Sequence, residues 1–149
     1  MRIHKLVILC LLMVLLSTYK VYANPCGEDI VTEEDFYVLS HVIAGEAGAD
    51  YCTDELMYYV GSVVLNRVEH DSFPDSIKEV ALQEGQYQCV NKGVFNKEPS
   101  ERVKRITLDL LLKGSRLPKN VVFQANFIQG EVYCEKQGVY FCRLNRRCN

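Results

Sequence analysis

Glu46 is the residue whose setting most invites chemistry. It stands in Leu39-Ser-His-Val-Ile-Ala-Gly-Glu-Ala-Gly48, where one carboxylate sits among apolar and small residues. Asp and Glu are rarely buried, because an ionised carboxylate is costly to strip of water. Leu39, Val42 and Ile43 precede Glu46, and apolar neighbours favour the protonated carboxyl. The stretch reads as the closing turns of a helix ended by Gly48, and the negative end of the helix dipole acts in the same direction. A Glu kept protonated near neutral pH can hand its proton to a glycosidic oxygen. Ala44, Gly45, Ala47 and Gly48 leave room for a bulky ligand. The plainer alternative is a solvated Glu beside capping glycines, and composition by itself favours it, because perturbed carboxylates are a minority.

Other chemistries find little support. There is no Gly-x-Ser-x-Gly elbow for a serine nucleophile. There is no His-Glu-x-x-His helix and no Cys-x-x-Cys pair, so no metal site is expected. His41 and His70 read as packing or surface residues. Asp50 and Glu55 are the carboxylates that could serve as a second acid or base.

The elements that must position Glu46 follow from apolar spacing. Thr32 can cap a first helix, with Asp35 closing a capping box, and Phe36, Leu39, Ile43 and Ala47 follow at helical spacing. Thr53 to Val68 is a second helix whose broad face includes Leu56, Val60, Val63, Val64 and Val68. Its β-branched run has poor intrinsic propensity, so packing must hold it. Gly61 and Ser62 let another helix come close, and Asn66 and Arg67 end the helix either solvated or fixing the site. A short helix after Phe73-Pro74 carries Ile77, Val80 and Ala81, with Pro74 suited to its first position. Gly85-Gln86-Tyr87-Gln88 is a polar aromatic loop. Glu98 to Lys113 is a further helix, with Pro99 near its start and Gly114 as its C-terminal cap. Val121 to Phe127 and Val139 to Arg143 read as two short strands linked by a loop from Ile128 to Gly138.

Length bounds this to one modest domain. Met1 to Ala23 reads as a secretory signal: Arg2 and Lys5, then Leu6 to Leu16, then Val-Tyr-Ala before the cut. The apolar run is short for a membrane span, which needs roughly 20 residues. The expected domains are therefore 1–23 as signal peptide and 24–149 as catalytic domain. Removing three basic and no acidic residues from the totals of 17 and 19 leaves 14 against 19, a net charge of −5. That excludes a broadly basic nucleic-acid surface. Six cysteines remain: Cys26, Cys52, Cys89, Cys134, Cys142 and Cys148. An even number behind a signal predicts disulfides in an oxidising compartment, with the pairing open and Cys134–Cys142 one possible clamp.

Taken together, several stretches resemble the spore-cortex-lytic type of bacterial cell-wall hydrolase. They are Gly45-Glu46-Ala47, Val64-Leu65-Asn66-Arg67-Val68, Phe73-Pro74-Asp75, Gly85-Gln86-Tyr87, and the aromatic strands at Val121 to Phe127 and Val139 to Cys142. The chain departs from that family's pattern at Gly48-Ala49-Asp50 and Cys52, where Arg-Gly-Glu and a following Gly are usual. The resemblance implies a small α+β fold of the lysozyme and lytic-transglycosylase kind. With the elements read above, that fold is expected to be mainly helical with a short C-terminal β-hairpin, and the cysteines, which look peculiar to this chain, are expected to staple it with disulfides. It implies cleavage of the β-1,4 bond between N-acetylmuramic acid and N-acetylglucosamine, leaving a 1,6-anhydromuramic end. Glu46 maps to the catalytic glutamate, and Gln86, Tyr87, Gln124, Asn126 and Tyr140 are the candidates for holding sugar. No cofactor is implied. The implied partner is the peptidoglycan glycan strand, met as a monomer outside the cytoplasm, in periplasm or wall. Alternatives are a muramidase-type hydrolase using Asp50 or Glu55 to activate water, and a secreted non-catalytic glycan- or protein-binding module.

Overall fold

The computed structural model of this chain describes residues 22–23, 30–87 and 98–144. The expected signal up to residue 21, and Cys26, Cys89 and Cys148, lie outside them. Two short strands, β1 (Tyr22–Ala23) and β2 (Ile30–Val31), pair antiparallel. Four helices follow: α1 (Glu33–Ala47), α2 (Asp54–Val68), α3 (Ile77–Leu82) and α4 (Glu101–Lys113). The C-terminal sheet holds β3 (Val121–Ala125), β4 (Glu131–Lys136) and β5 (Val139–Arg143), with β5 in the middle and both pairings antiparallel. This is the expected α+β class, mainly helical with a small C-terminal sheet.

Each helix starts at a hydroxyl that satisfies a backbone N–H left without an intrahelical partner. The Thr32 oxygen accepts from the Asp35 N–H and its hydroxyl donates to Asp35 Oδ2 at 2.7 Å. Thr53 accepts from Leu56 N–H at the head of α2. Pro74 and Pro99 do not begin helices. Ser76 and Ser100 do so instead, accepting from Glu79 N–H and Val103 N–H. Proline can occupy a first turn but offers no oxygen to cap it, so the serines set the boundary.

The valines of α2 are held by packing. Val60, Val63 and Val64 are buried against Leu39, Val42 and Ile43 of α1 and Ile106 and Leu110 of α4. Each such side chain contributes on the order of 1.5–3 kcal/mol by leaving water. The three helices converge at Gly61, where a Cβ would come within 2.5 Å of Leu110 Cδ1 and 2.8 Å of Ile43 Cδ1. Any side chain there would force the Leu110 and Ile43 side chains out of their packed positions.

Two expectations fail here. The stretch from Ile128 to Gly138 is not simply a loop, because Glu131–Lys136 is the edge strand β4. Its Glu131, Val132, Tyr133 and Glu135 are exposed, so no buried apolar face announces it, and its ladder to β5 holds it in place. A two-residue turn, Gln137–Gly138, closes the hairpin with φ of 51° and 83°. Positive φ at both positions matches the natural twist of a tight hairpin. Nor is the fold stapled among the described residues: Cys52, Cys134 and Cys142 are free thiols. A bulge after Val132 sets Cys134 opposite Phe141 and Cys142 opposite Val132, so the suggested Cys134–Cys142 clamp is offset by one residue. A cross-strand disulfide needs its two Cβ atoms face to face at close range.

Candidate active site

Glu46 lies in the last turn of α1. The buried face of that turn is Val42, Ile43 and Ala47, and the Glu46 side chain points to the opposite, exposed side. The expected apolar surroundings are therefore beneath it and not around it. The carboxylate has no ion pair or side-chain hydrogen bond among the described residues. The last turn of α1 carries no basic residue. At Gly48 the N–H bonds to Ala44 O at 3.1 Å, and a Cβ there would lie 2.2 Å from that same oxygen. The chain can leave the helix tightly at this point because the residue is glycine.

The segment after Glu46 is tied on several sides. Cys52 N–H bonds to Ala49 O at 2.9 Å. Arg102 of α4 donates to Cys52 O at 2.8 Å and pairs with Asp54. From the sheet, the Gln137 side chain reaches across. Its Oε1 accepts from Thr53 N–H at 2.9 Å and from the Thr53 hydroxyl at 3.1 Å, and its Nε2 donates to Tyr51 O at 3.1 Å. The β4–β5 turn is thus docked onto the junction between Glu46 and α2.

At the far end of α2, Asn66 and Arg67 are buried, which resolves their role. Asn66 Nδ2 donates to Pro118 O and Val121 O, each at 2.8 Å. Arg67 Nε donates to Val122 O at 2.7 Å and its guanidinium reaches the Tyr87 hydroxyl at 3.4 Å. The same guanidinium lies 5.2 Å from the Phe73 ring centre and 5.5 Å from that of Tyr87. Cation–π attraction and charge-assisted bonds together compensate its desolvation. Through Arg67 the helix, the Phe73-Pro74 turn, the Gln86-Tyr87 loop and β3 become one unit.

The candidate sugar-holding residues fall out differently. Tyr87 is 2 % exposed, so its ring belongs to the core, while Gln86 is exposed beside it. Gln124 is half-buried on β3, and its Oε1 is shielded yet accepts no hydrogen bond among the described residues. Asn126 is exposed just past β3, and Tyr140 is half-buried on β5 opposite Ala125. Of the possible second carboxylates, Asp50 is exposed. Glu55 is engaged: Lys136 pairs with it at 3.1 Å and, with help from the Tyr59 hydroxyl, holds its carboxyl below the usual range. Two surface hollows lie elsewhere, one walled by Glu69, His70, Lys119 and Arg143, the other by Leu65, Val68, Leu110 and Leu111; neither is lined by Glu46. The residue that sequence reasoning missed is Gln137. Its signal was the Gln137-Gly138 pair between two β-prone runs.

Residues 53–145 match the model of the cell wall hydrolase family. The chain belongs to the cell wall hydrolase family. Its members are enzymes that cleave peptidoglycan, and the matched span takes in the Asn66–Arg67 fastening, the Gln86–Tyr87 loop and the whole C-terminal sheet. Glu46 lies just ahead of that span. Among solved structures, the catalytic domain of the germination-specific lytic transglycosylase SleB from Bacillus anthracis is similar, with a TM-score of 0.67 at 19% identity, covering 76% of this chain and 97% of that one. The catalytic domain of the Bacillus cereus SleB protein gives a TM-score of 0.67 at 17% identity, covering 81% and 98%. At such identities the likeness is one of fold. No curated protein matches the chain. Among the described residues, no helix of this cell wall hydrolase is long and apolar enough to cross a membrane.

Proposed function

We propose that this cell wall hydrolase is a lytic transglycosylase and that Glu46 is its acid and base. The observation that carries the proposal is the exposed carboxyl of Glu46 at the end of α1, without an ion pair among the described residues, in a cell-wall-hydrolase chain with the fold of a lytic transglycosylase catalytic domain. Ordinary glycosidases need two carboxyl groups at defined separation. A transglycosylase needs one. Protonated Glu46 gives its proton to the glycosidic oxygen as the C1–O bond of the muramic residue breaks. The 6-hydroxyl of that residue then bonds to C1, and its proton passes to the Glu46 carboxylate. No water is consumed and the acid is regenerated. Exposure in the free chain lets a polymer reach the carboxyl, and the sugar laid over it displaces water. Gln86, Gln124 and Asn126 supply amide groups for sugar hydroxyls and acetamido groups, with Tyr140 alongside on β5. The setting is extracytoplasmic, because that is where peptidoglycan lies, and Met1 to Ala23 serves as the export signal.

The ion pair of Glu55 with Lys136 counts against the muramidase alternative, because it occupies one of the two carboxylates available to activate water. Digestion of purified peptidoglycan separates the readings. Mass spectrometry should find 1,6-anhydromuramic ends, and hydrated reducing ends in their place would establish a muramidase. Glu46→Gln should fold normally and lose lysis, because an amide cannot donate the proton. Full lysis by that variant would remove Glu46 from the mechanism.

A further inference from the structure

Most aromatic rings among the described residues are occupied. Tyr37 stacks on His41 with centroids 4.1 Å apart, Tyr58 lies under the Arg116 guanidinium, Tyr59 meets Phe141 edge-on, and Tyr133 is covered by Arg143. Tyr51 is different. At 82 % exposure it is the most exposed large apolar side chain among the described residues, and its ring touches no other ring or cation there. Its backbone is nonetheless held: its own carbonyl accepts from Gln137 Nε2, and the next two residues are held by Arg102 and by Gln137 Oε1.

We infer that Tyr51 is a stacking platform for a pyranose ring of the glycan strand, presented on the segment that follows Glu46. The inference rests on Glu46 being the acid and adds a binding contact to it. The axial C–H groups of a β-linked N-acetylhexosamine form an apolar face about the size of a phenol ring. A ring whose backbone is already immobilised contributes such contact with little conformational entropy left to lose. The exposed hydroxyl stays solvated, as an aromatic at a wet surface prefers. Gln137 is the positioning residue. It sits at φ 51°, a strained value for a non-glycine residue, and its amide bonds to the Tyr51 carbonyl and to the N–H and hydroxyl of Thr53.

The test is made on the Glu46→Gln protein, which binds without cutting. Its binding isotherm on purified peptidoglycan sacculi is compared with that of the same protein also carrying Tyr51→Ala. Loss of the ring should weaken binding roughly fivefold to tenfold and leave the thermal midpoint unmoved, while Tyr51→Phe should bind as tightly as tyrosine. The chain has no tryptophan, so Tyr51→Trp also installs a sole indole reporter. Its emission should shift to the blue on adding a soluble N-acetylglucosamine tetramer. Equal binding with and without the ring, a binding loss matched by a lower midpoint, or an unmoved indole emission would each overturn the platform. Retained lysis by Glu46→Gln alone would instead strike the acid assignment, leaving the indole response to the tetramer, which carries no muramic residue, to decide Tyr51 by itself.

Discussion

The sheet is fastened to α2 at both ends, by two unlike devices. At the C-terminal end, Asn66 and Arg67 are 1 % and 2 % exposed and donate into the backbone of β3 and its approach. At the N-terminal end, the exposed Gln137 reaches from a hairpin turn to the Tyr51–Thr53 segment. The buried fastening carries a charge and would leave desolvated carbonyls behind if cut. The exposed one would be replaced by water. The first therefore defines the fold, and the second sets local order near Glu46 at little cost to global stability.

That contrast can be broken by measurement. The largest effect is expected from Arg67→Ala, which strands Val122 O and empties the space between Phe73 and Tyr87. It should cost about 3 kcal/mol or more in urea unfolding. Arg67→Lys should recover little, since one ammonium cannot replace a planar fork. A cost no greater than that of Gln137→Ala would erase the distinction between the two ends. Gln137→Ala itself should cost about 1 kcal/mol, because its three bonds are exchanged for bonds to water. Its lytic rate should fall by more than the folded fraction does, and a variant with native lysis would show that the latch orders nothing relevant.

A third fastening, between α2 and α4, sharpens the comparison with the smallest effect. Asp109 receives Lys113 and Arg116 and the Tyr58 hydroxyl. Lys113 does most to hold its carboxyl down to about 2; burial, the next largest effect, opposes it, and Arg116 and the Tyr58 hydroxyl add to the lowering. A depressed acid stabilises the fold above its unfolded value, and this contribution fades as pH falls from about 4 toward 2. Lys113 and Arg116 are largely exposed, so solvent screening reduces the effect to roughly 1 kcal/mol. Asp109→Asn should lower the urea midpoint at pH 7, with the gap to the native protein closing as pH is taken down to about 2. A gap unchanged between those pH values would show that the carboxylate charge is not what fastens α4.

The unlike ends of α2 also explain what could be read in advance. Helices α1 and α2 were legible because their caps and apolar stripes are local: Thr32 with Asp35, Thr53 with Leu56, and valines on one face. Asn66 and Arg67 could not be assigned from the chain, since a polar pair at a helix end looks the same whether solvated or buried. Their partners stand more than fifty residues on. Tyr87 could be read from the chain either as a sugar-holding ring or as packing, and only the closed fold turns its ring inward behind a polar loop. Strand β4 escaped because an edge strand stabilised by its ladder need not show an apolar face. The cysteines suggested staples by number alone, whereas strand register decides whether Cys134 and Cys142 can meet.

The one-dimensional chain thus determined the helical framework, the mixed α/β composition and the solitary carboxylate at the end of α1, because each depends on residues within a few turns of one another. Only tertiary structure decided that Arg67 would join helix, loop and strand, that Gln137 would reach back to Thr53, and that Tyr51 would stand in water on a fixed backbone. Those outcomes depend on which distant groups are left facing one another once the core has closed, and local propensity contains no record of that.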